Sequence, residues 1–219
     1  MSELLATLSI HSPLHDSYQK VQLYRHVDDA HIELIETHWN PVFRERVAVA
    51  DLIYRQAKNP TEQLWPSLAG KYGIPDHHWN WRDLIIRTRG NTTRDSFCLL
   101  ALDQIQAVMT VDLSKRARNP TQHNQHLVYV DYLAVAPWNR TAIQKPVVYK
   151  GLGKVMLGVA VSLSIDDEWD GRIGLHSLPQ AEGFYNVCGM IDLGADRDYE
   201  HLHYFEFTGA QARGFLGSV

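Results

Sequence analysis

The chain has 219 residues, of which 45% are hydrophobic and 21% charged. This is the composition of a globular protein with a sizeable core, and it excludes a disordered or fibrous chain. With 21 Lys and Arg against 25 Asp and Glu, the net charge is −4, so no global basic field attracts nucleic acid or a membrane surface. The length predicts one domain with additions or two small ones.

Two cysteines are too few for a disulfide framework and fit a reducing cytoplasm, which is the location we expect. The first sixteen residues lack a basic start and a long apolar centre, so no signal peptide is expected. No apolar run reaches the roughly 18 residues that a membrane helix needs.

The first ninety residues predict mainly helices. Ile32, Ile35 and Trp39 fall on one helical face. We therefore expect a helical region over 1–90, packed onto a core that spans 91–219. The smaller predicted elements are a strand over 20–25, a second helix that starts at Pro41, and a third helical stretch over 76–87.

The second half of the chain predicts strands that alternate with helices. Two apolar runs, 96–102 and 105–113, are separated by Asp103 and Gln104 and indicate a hairpin. Strand, helix, strand, helix and strand follow in order, which predicts an α+β fold with a mixed, mostly antiparallel central sheet flanked by helices. Their predicted ranges are 127–135, 151–165, 172–176, 179–187 and 202–207.

A strand that ends at Pro137 is followed, after a loop, by Gly151 and Gly153 at the start of a helix. The first N–H groups of a helix have no partner within it, and the helix dipole adds partial positive charge there. Glycine has no Cβ, so a phosphate can approach closely. The segment is a candidate pyrophosphate cradle, although the same pattern also occurs in ordinary turns.

Three motifs in order resemble the GNAT superfamily of N-acetyltransferases: Leu-Ala-Val-Ala-Pro at 133–137, Gly-Leu-Gly at 151–153, and the run with Phe-Tyr and a later glycine at 181–190. The resemblance covers about 96–208 and implies a GNAT-like acyltransferase fold with splayed central strands. Two features depart from the family. Val148 occupies the usual Gln or Arg position, for which Lys150 or Arg140 are candidate substitutes. The 137–151 loop is also long, and is a candidate substrate or cofactor flap.

The resemblance implies an enzyme that uses acetyl-CoA as co-substrate. It implies transfer of the acetyl group to a primary amine by direct attack in a ternary complex. The pantetheine arm is expected to pair with the backbone at Leu133 and Val135, as an added strand does. The residues expected around the pyrophosphate are Val148, Tyr149, Lys150, Gly151, Leu152, Gly153 and Lys154.

Tyr185 matches the family tyrosine that protonates the leaving thiolate, with core packing as the competing interpretation. Asp131 lies two residues before Leu133 and faces the same side of a strand, so it is a candidate general base or else a solvated strand residue. His126 and His176 are candidate proton relays or structural residues. No set of metal ligands emerges, so no metal is expected.

Two other functions stay open at this stage. One is a non-catalytic acyl-CoA-binding sensor or assembly module, which Val148 and the long loop suggest. The other is a toxin-like acetyltransferase acting on aminoacyl-tRNA, against which the charge of −4 argues. The basic run of Lys115, Arg116 and Arg118 is expected in a solvated loop. Expected partners are a small-molecule or peptide amine and, in the manner of the family, a second copy in a homodimer. Neither membrane nor nucleic acid is expected.

Overall fold

A computed structural model of the chain describes residues 1–217. Within this range, eight strands form one sheet in the order β1-β2-β3-β4-β5-β6-β8-β7. The strands are β1 (Glu3–Ser12), β2 (Ser17–Arg25), β3 (Arg94–Ala101), β4 (Gln104–Asp112), β5 (Val128–Val135), β6 (Ile173–Ser177), β7 (Ile191–Asp196) and β8 (Leu202–Phe207). The helices are α1 (Asp29–Gln56), α2 (Leu64–Lys71), α3 (Trp81–Ile86), α4 (Leu152–Asp166), α5 (Glu182–Cys188) and α6 (Gly209–Leu216).

The predicted fold class is confirmed. Strands β1 and β2, β2 and β3, β6 and β8, and β7 and β8 pair antiparallel, whereas β5 and β6 pair parallel. The sheet is therefore mixed and mostly antiparallel. No helix within residues 1–217 is both long enough and apolar enough to cross a bilayer.

The chain divides into two compact units, each built from several segments. The first contains Met1–Ile86, Phe97–Val108 and Ala134–Leu152. The second contains Arg87–Ser96, Met109–Leu133 and the chain from Gly153 onward. The boundary expected near residue 90 stays a prediction, since sequence-distant segments build both units.

The description of the first ninety residues as helical needs a correction, because they begin with the β1–β2 hairpin. The strand predicted over 20–25 is part of β2, but β1 was not predicted. Only Ile10 and Ser12 of β1 are buried. A strand this exposed carries little of the apolar alternation by which strands are recognised.

Helix α1 is one helix of 28 residues, so the prediction of a new helix at Pro41 is wrong. Asp28 caps the helix, and its carboxylate accepts a hydrogen bond from the His31 backbone. Proline removes one helical hydrogen bond, but buried residues on either side anchor the helix. Trp39 donates its indole N–H to the Ile105 carbonyl at 2.9 Å and meets the Phe43 ring edge-on.

The predicted hairpin of β3 and β4 is confirmed. Its turn residues, Leu102 and Asp103, have φ values of 52° and 53°, as expected for the type I′ turn that suits the twist of a two-residue hairpin. Helix α4 follows its predicted range to within one residue. Besides β1, three elements were not predicted from the sequence: α2, β7 and α6.

One face of the β6–β8 pair carries polar side chains. Strand β6 pairs with β8 so that Gly174 lies opposite Glu206 and His176 opposite Tyr204. Alternation along a strand puts these four residues on one face. A Cβ at Gly174 would lie 2.5 Å from the Tyr204 hydroxyl oxygen. The absence of a side chain at residue 174 therefore makes room for this hydroxyl.

We expect Gly174→Ala to destabilise the fold by about 1–3 kcal/mol, because the added methyl group overlaps the Tyr204 hydroxyl. In a denaturation cycle, Tyr204→Phe should recover part of this loss by removing the overlapping oxygen. Strictly additive losses in the double variant would contradict the steric account.

Candidate functional site

Strands β5 and β6 part within the second unit. Their parallel register pairs Val128 with Ile173 and Val130 with Leu175. Within the described chain, this pairing ends there, although β5 continues to Val135. The first three residues of β5 are buried and the next three, from Asp131 to Leu133, are half-buried. The strands thus separate where the sequence resemblance predicts a splay.

Asp131 lies just beyond the end of this pairing. Its carboxylate accepts a hydrogen bond from Arg94 at 3.0 Å, and the same guanidinium donates to Asp112 at 3.0 Å. Burial raises the pKa of Asp131 to about 6; Asp112 adds to the rise and Arg94 opposes it. A carboxylate in this range is ionised at neutral pH and can still take up a proton. This is the property that the predicted base needs.

His176 belongs to a chain of part-buried hydrogen bonds. Its Nδ1 lies 2.6 Å from the Tyr129 hydroxyl, and its Nε2 lies 3.0 Å from an Asp196 oxygen. Arg118 donates to the same Asp196 oxygen. Hydrogen bonds from Arg118 and His176 hold the pKa of Asp196 well below its usual range. Burial, with help from Arg118, lowers the pKa of His176, so its ring is neutral at pH 7.

Aromatic rings enclose the imidazole of His176. Tyr199 stacks on it at a centroid distance of 3.9 Å, and Tyr204 lies 4.8 Å away. Arg118 lies 4.4 Å above the Tyr204 ring, and Lys115 donates to the Tyr199 hydroxyl at 3.3 Å. Arg118 is exposed and Lys115 half-buried, which agrees with the expectation of a solvated basic loop. Their charged groups pack on aromatic rings.

The predicted phosphate-binding segment is only partly available to a ligand. The backbone N–H of Val148 donates to the Trp138 carbonyl, that of Tyr149 to the Asn139 side chain, and that of Lys150 to the His11 carbonyl. These three donors are already used. What is left are the first N–H groups of α4, from Gly151 to Lys154, which lack helical partners.

The two glycines of this segment have different roles. Gly151 has a φ of +84°, and the space around its missing Cβ is open. This left-handed conformation favours glycine. A Cβ at Gly153 would lie 3.0 Å from the Phe184 ring. Gly153 therefore allows α4 to pack closely on α5, which brings the second and third sequence motifs together.

Arg140 does not replace the missing family residue at Val148. Its guanidinium makes two hydrogen bonds to Asp76, and it also donates to the Gly73 and Val135 carbonyls. It is thus committed to the first unit. Val135 keeps its place on β5, but its carbonyl is occupied by Arg140, so Leu133 is the less encumbered of the two predicted pantetheine partners.

The loop between Pro137 and Gly151 is tied down rather than free, so its interpretation as a flap is not supported. The Trp138 indole N–H donates to the Gln106 side chain at 2.8 Å. Arg46 donates to the Ile143 carbonyl at 3.2 Å. Both contacts lie within the first unit.

Tyr185 is buried on α5, where its ring contacts Phe184 and Phe205. Burial raises the pKa of its hydroxyl, so the proton stays on the oxygen at neutral pH. That is the state a general acid requires, and it also agrees with core packing.

His126 gives no support for a relay. Its ring stacks on Trp169 at 4.8 Å. Its Nδ1 has no hydrogen-bond partner among the described residues. Tyr129, Asp196 and Arg94 were not singled out in the sequence. Only the alternation of Tyr129 with Asp131 on one strand face could have drawn attention to the first.

No protein-family model matches the chain, and neither does any curated protein sequence. Among solved structures, spermidine N-acetyltransferase from Vibrio cholerae with CoA and spermine is similar at a TM-score of 0.49 and 12% identity, over 88% of this chain and 98% of that one. The PaiA N-acetyltransferase from Thermoplasma acidophilum with coenzyme A is similar at a TM-score of 0.47 and 13% identity, and the match covers 86% of this chain and 98% of that one. A KacTA–DNA complex is similar at a TM-score of 0.45 and 16% identity, and the match covers 63% of this chain and 82% of that one. Two of these three are acetyltransferases with coenzyme A bound.

The pKa of about 6 at Asp131 predicts a pH-dependent stability. The folded pKa lies above the ordinary value of 3.8, so the folded state binds the proton more tightly and stability falls as pH rises from about 4 to 6. Asp131→Asn removes this penalty and should stabilise the fold by about 2 kcal/mol at pH 8, with a smaller gain at pH 5. Urea denaturation at both values measures this. The exposed control Asp16→Asn should show no such difference, and an equal effect of Asp131→Asn at both values would contradict the burial of its charge.

Proposed function

We propose that the chain is an acetyl-CoA-dependent N-acetyltransferase that acetylates a primary amine by direct attack in a ternary complex. The observation that carries the proposal is the parting of β5 from β6 after Val130 and Leu175. Backbone groups of β5 beyond this point lack a partner in β6, and an extended ligand arm with amide groups can supply one. Pantetheine has this chemistry, and we assign it chiefly to Leu133.

The start of α4 supports the assignment of the pyrophosphate. The turn at Gly151 is open to solvent, and the N–H groups from Gly151 to Lys154 precede the first carbonyl-bonded turn. Such a helix start favours an anion. The backbone donors of Val148, Tyr149 and Lys150 are already used, so we confine the phosphate contacts to the four later residues.

The chemistry follows from what an amine needs. An ammonium ion has no lone pair, so it must lose a proton before its nitrogen attacks the thioester carbon. Asp131 is our candidate for this base, since its pKa of about 6 keeps it ionised at pH 7. As the carbon–sulfur bond breaks, the thiolate takes a proton, which we assign to the buried hydroxyl of Tyr185.

We favour a small-molecule or peptide amine as acceptor over aminoacyl-tRNA. Lys115 and Arg118 pack on tyrosine rings instead of forming an open basic face, and the chain carries a net charge of −4. RNA binding rests mainly on cations that reach phosphates. Acetyl-CoA binding without transfer to any amine would favour the non-catalytic sensor instead.

Acetyl-CoA should bind to the chain and raise its melting temperature. Calorimetry measures the affinity, which Gly151→Ala should weaken. A residue with a Cβ at φ +84° costs about 1 kcal/mol, which disturbs the turn and lowers affinity about fivefold. The matched control is Gly90→Ala, at φ +66° and also in open space. If acetyl-CoA fails to bind the unaltered chain, the proposed function is wrong. If Gly151→Ala and Gly90→Ala bind acetyl-CoA with equal affinity, the turn at Gly151 is not part of the pyrophosphate site.

Tyr185→Phe should lower the turnover number by about 100-fold and leave acetyl-CoA affinity within twofold, because only the proton donor to the thiolate is lost. Stopped-flow detection of free thiol, with calorimetry for binding, separates the two effects. The control variant is Tyr18→Phe, which removes a hydroxyl from an exposed side chain of β2. Unchanged turnover in Tyr185→Phe would assign Tyr185 to core packing.

A further inference from the structure

The chain of hydrogen bonds through His176 has a fixed direction. Asp196 is ionised and can only accept, so the Nε2 of His176 must donate to it. In the neutral ring, Nδ1 then carries no proton and must accept, so the Tyr129 hydroxyl donates to it at 2.6 Å. The only proton of Tyr129 is thereby committed. Its oxygen is left with lone pairs and can only accept a further hydrogen bond.

Tyr129 and Asp131 are neighbours on one face of β5, since residues two apart in a strand point to the same side. Tyr129 lies opposite Gly174 in the register, and the charge of Asp131 helps to raise the pKa of Tyr129. The Tyr129 hydroxyl and the Asp131 carboxylate thus belong to the same face of β5, next to the point where β5 and β6 part.

We propose that the Tyr129 hydroxyl oxygen is a second proton acceptor for the attacking amine, with His176 and Asp196 as the positioning residues that make it one. The inference rests on the proposed acetyltransferase function and deepens it. It predicts that the substrates that receive the acetyl group are amines that enter as the ammonium ion. It also gives a role to His176, a buried titratable group that the other steps leave unused.

The proton balance of the reaction calls for two acceptors. A primary ammonium has three N–H bonds and the product amide has one, so two protons leave the nitrogen. Asp131 takes the first, which frees the lone pair. As the nitrogen–carbon bond forms, the second passes to the Tyr129 oxygen while the proton of Tyr129 moves to the Nδ1 of His176. The resulting imidazolium is paired with Asp196 and returns its proton to solvent, while the carbon–sulfur bond breaks and the thiolate takes a proton from Tyr185. Asp131 then releases its proton and Tyr185 regains one, so the whole reaction delivers one proton to solvent.

The groups that face the imidazole determine how it takes part. Arg118 and Lys115 disfavour a permanent imidazolium, whereas Asp196 stabilises one that forms transiently. Tyr129, Tyr199 and Tyr204 surround it with rings. His176 therefore rests as the neutral base and accepts a proton only when Tyr129 passes one on.

The first test needs no acceptor. Nitrogen NMR of the ¹⁵N-histidine-labelled full chain should show His176 neutral at pH 7, with its proton on Nε2. The Tyr129→Phe variant should keep this tautomer, because Asp196 still accepts from Nε2, but should lose the strong hydrogen bond at Nδ1. A proton on Nδ1, or an imidazolium at pH 7, overturns the proposal whatever the activity.

The second test is kinetic, with n-propylamine, 1,4-diaminobutane and glycylglycine as acceptors at saturating acetyl-CoA. Tyr129→Phe and His176→Gln should each lower the turnover number about 100-fold, while acetyl-CoA affinity stays within twofold. The matched control, Tyr199→Phe, keeps the ring that stacks on His176 and removes a hydroxyl that is not part of the Tyr129–His176–Asp196 hydrogen bonds. Its turnover number should stay within twofold of the unaltered value.

The outcomes separate the two proposals. Full turnover in Tyr129→Phe overturns the relay and leaves the acetyltransferase standing. A chain that binds no acetyl-CoA, or that binds it and acetylates none of the three amines, overturns both. If Tyr129→Phe and Tyr199→Phe lose turnover equally and both have lower melting temperatures, the hydrogen bonds through His176 serve stability alone and the relay is overturned.

Discussion

The constraint on which the site depends is the short pairing between β5 and β6. Three residues of each strand are joined, and β5 then continues for five more residues beside β4 but without β6 as a partner. Backbone N–H and C=O groups that leave a ladder need other partners, since leaving them unpaired away from water is costly. Burial raises the pKa of Asp131, just beyond the parting, to about 6, and the side of β5 that leaves β6 is where we propose that an acyl carrier with amide groups joins the sheet.

The polar face of β6 and β8 depends on several side-chain contacts that act together. Gly174 leaves space for the Tyr204 hydroxyl, and Tyr204 in turn flanks the imidazole of His176. Asp196 and Arg118 fix which nitrogen of that ring carries the proton. A single direction of hydrogen bonding then extends to Tyr129. This is how side chains that are individually ordinary acquire a defined donor or acceptor role.

Much of the core was predictable from the sequence because its elements carry strong local signals. The β3–β4 hairpin has buried runs around a two-residue turn, and α4 is apolar on most sides. Strand β1 and the continuation of α1 through Pro41 were missed, because the first is exposed and the second is held by distant packing. Asp131 was proposed as the base from its strand alternation, and that role stays a prediction. The Tyr129–His176–Asp196 chain joins residues 20 and 47 positions apart, and no local pattern marks such contacts.

A crystal structure with acetyl-CoA tests the central claim most directly. The account predicts that the pantetheine arm hydrogen-bonds to the backbone at Leu133 between the parted strands, and that the pyrophosphate lies on the N–H groups from Gly151 to Lys154. Acetyl-CoA bound elsewhere, with β5 and β6 paired along their full length, would contradict it.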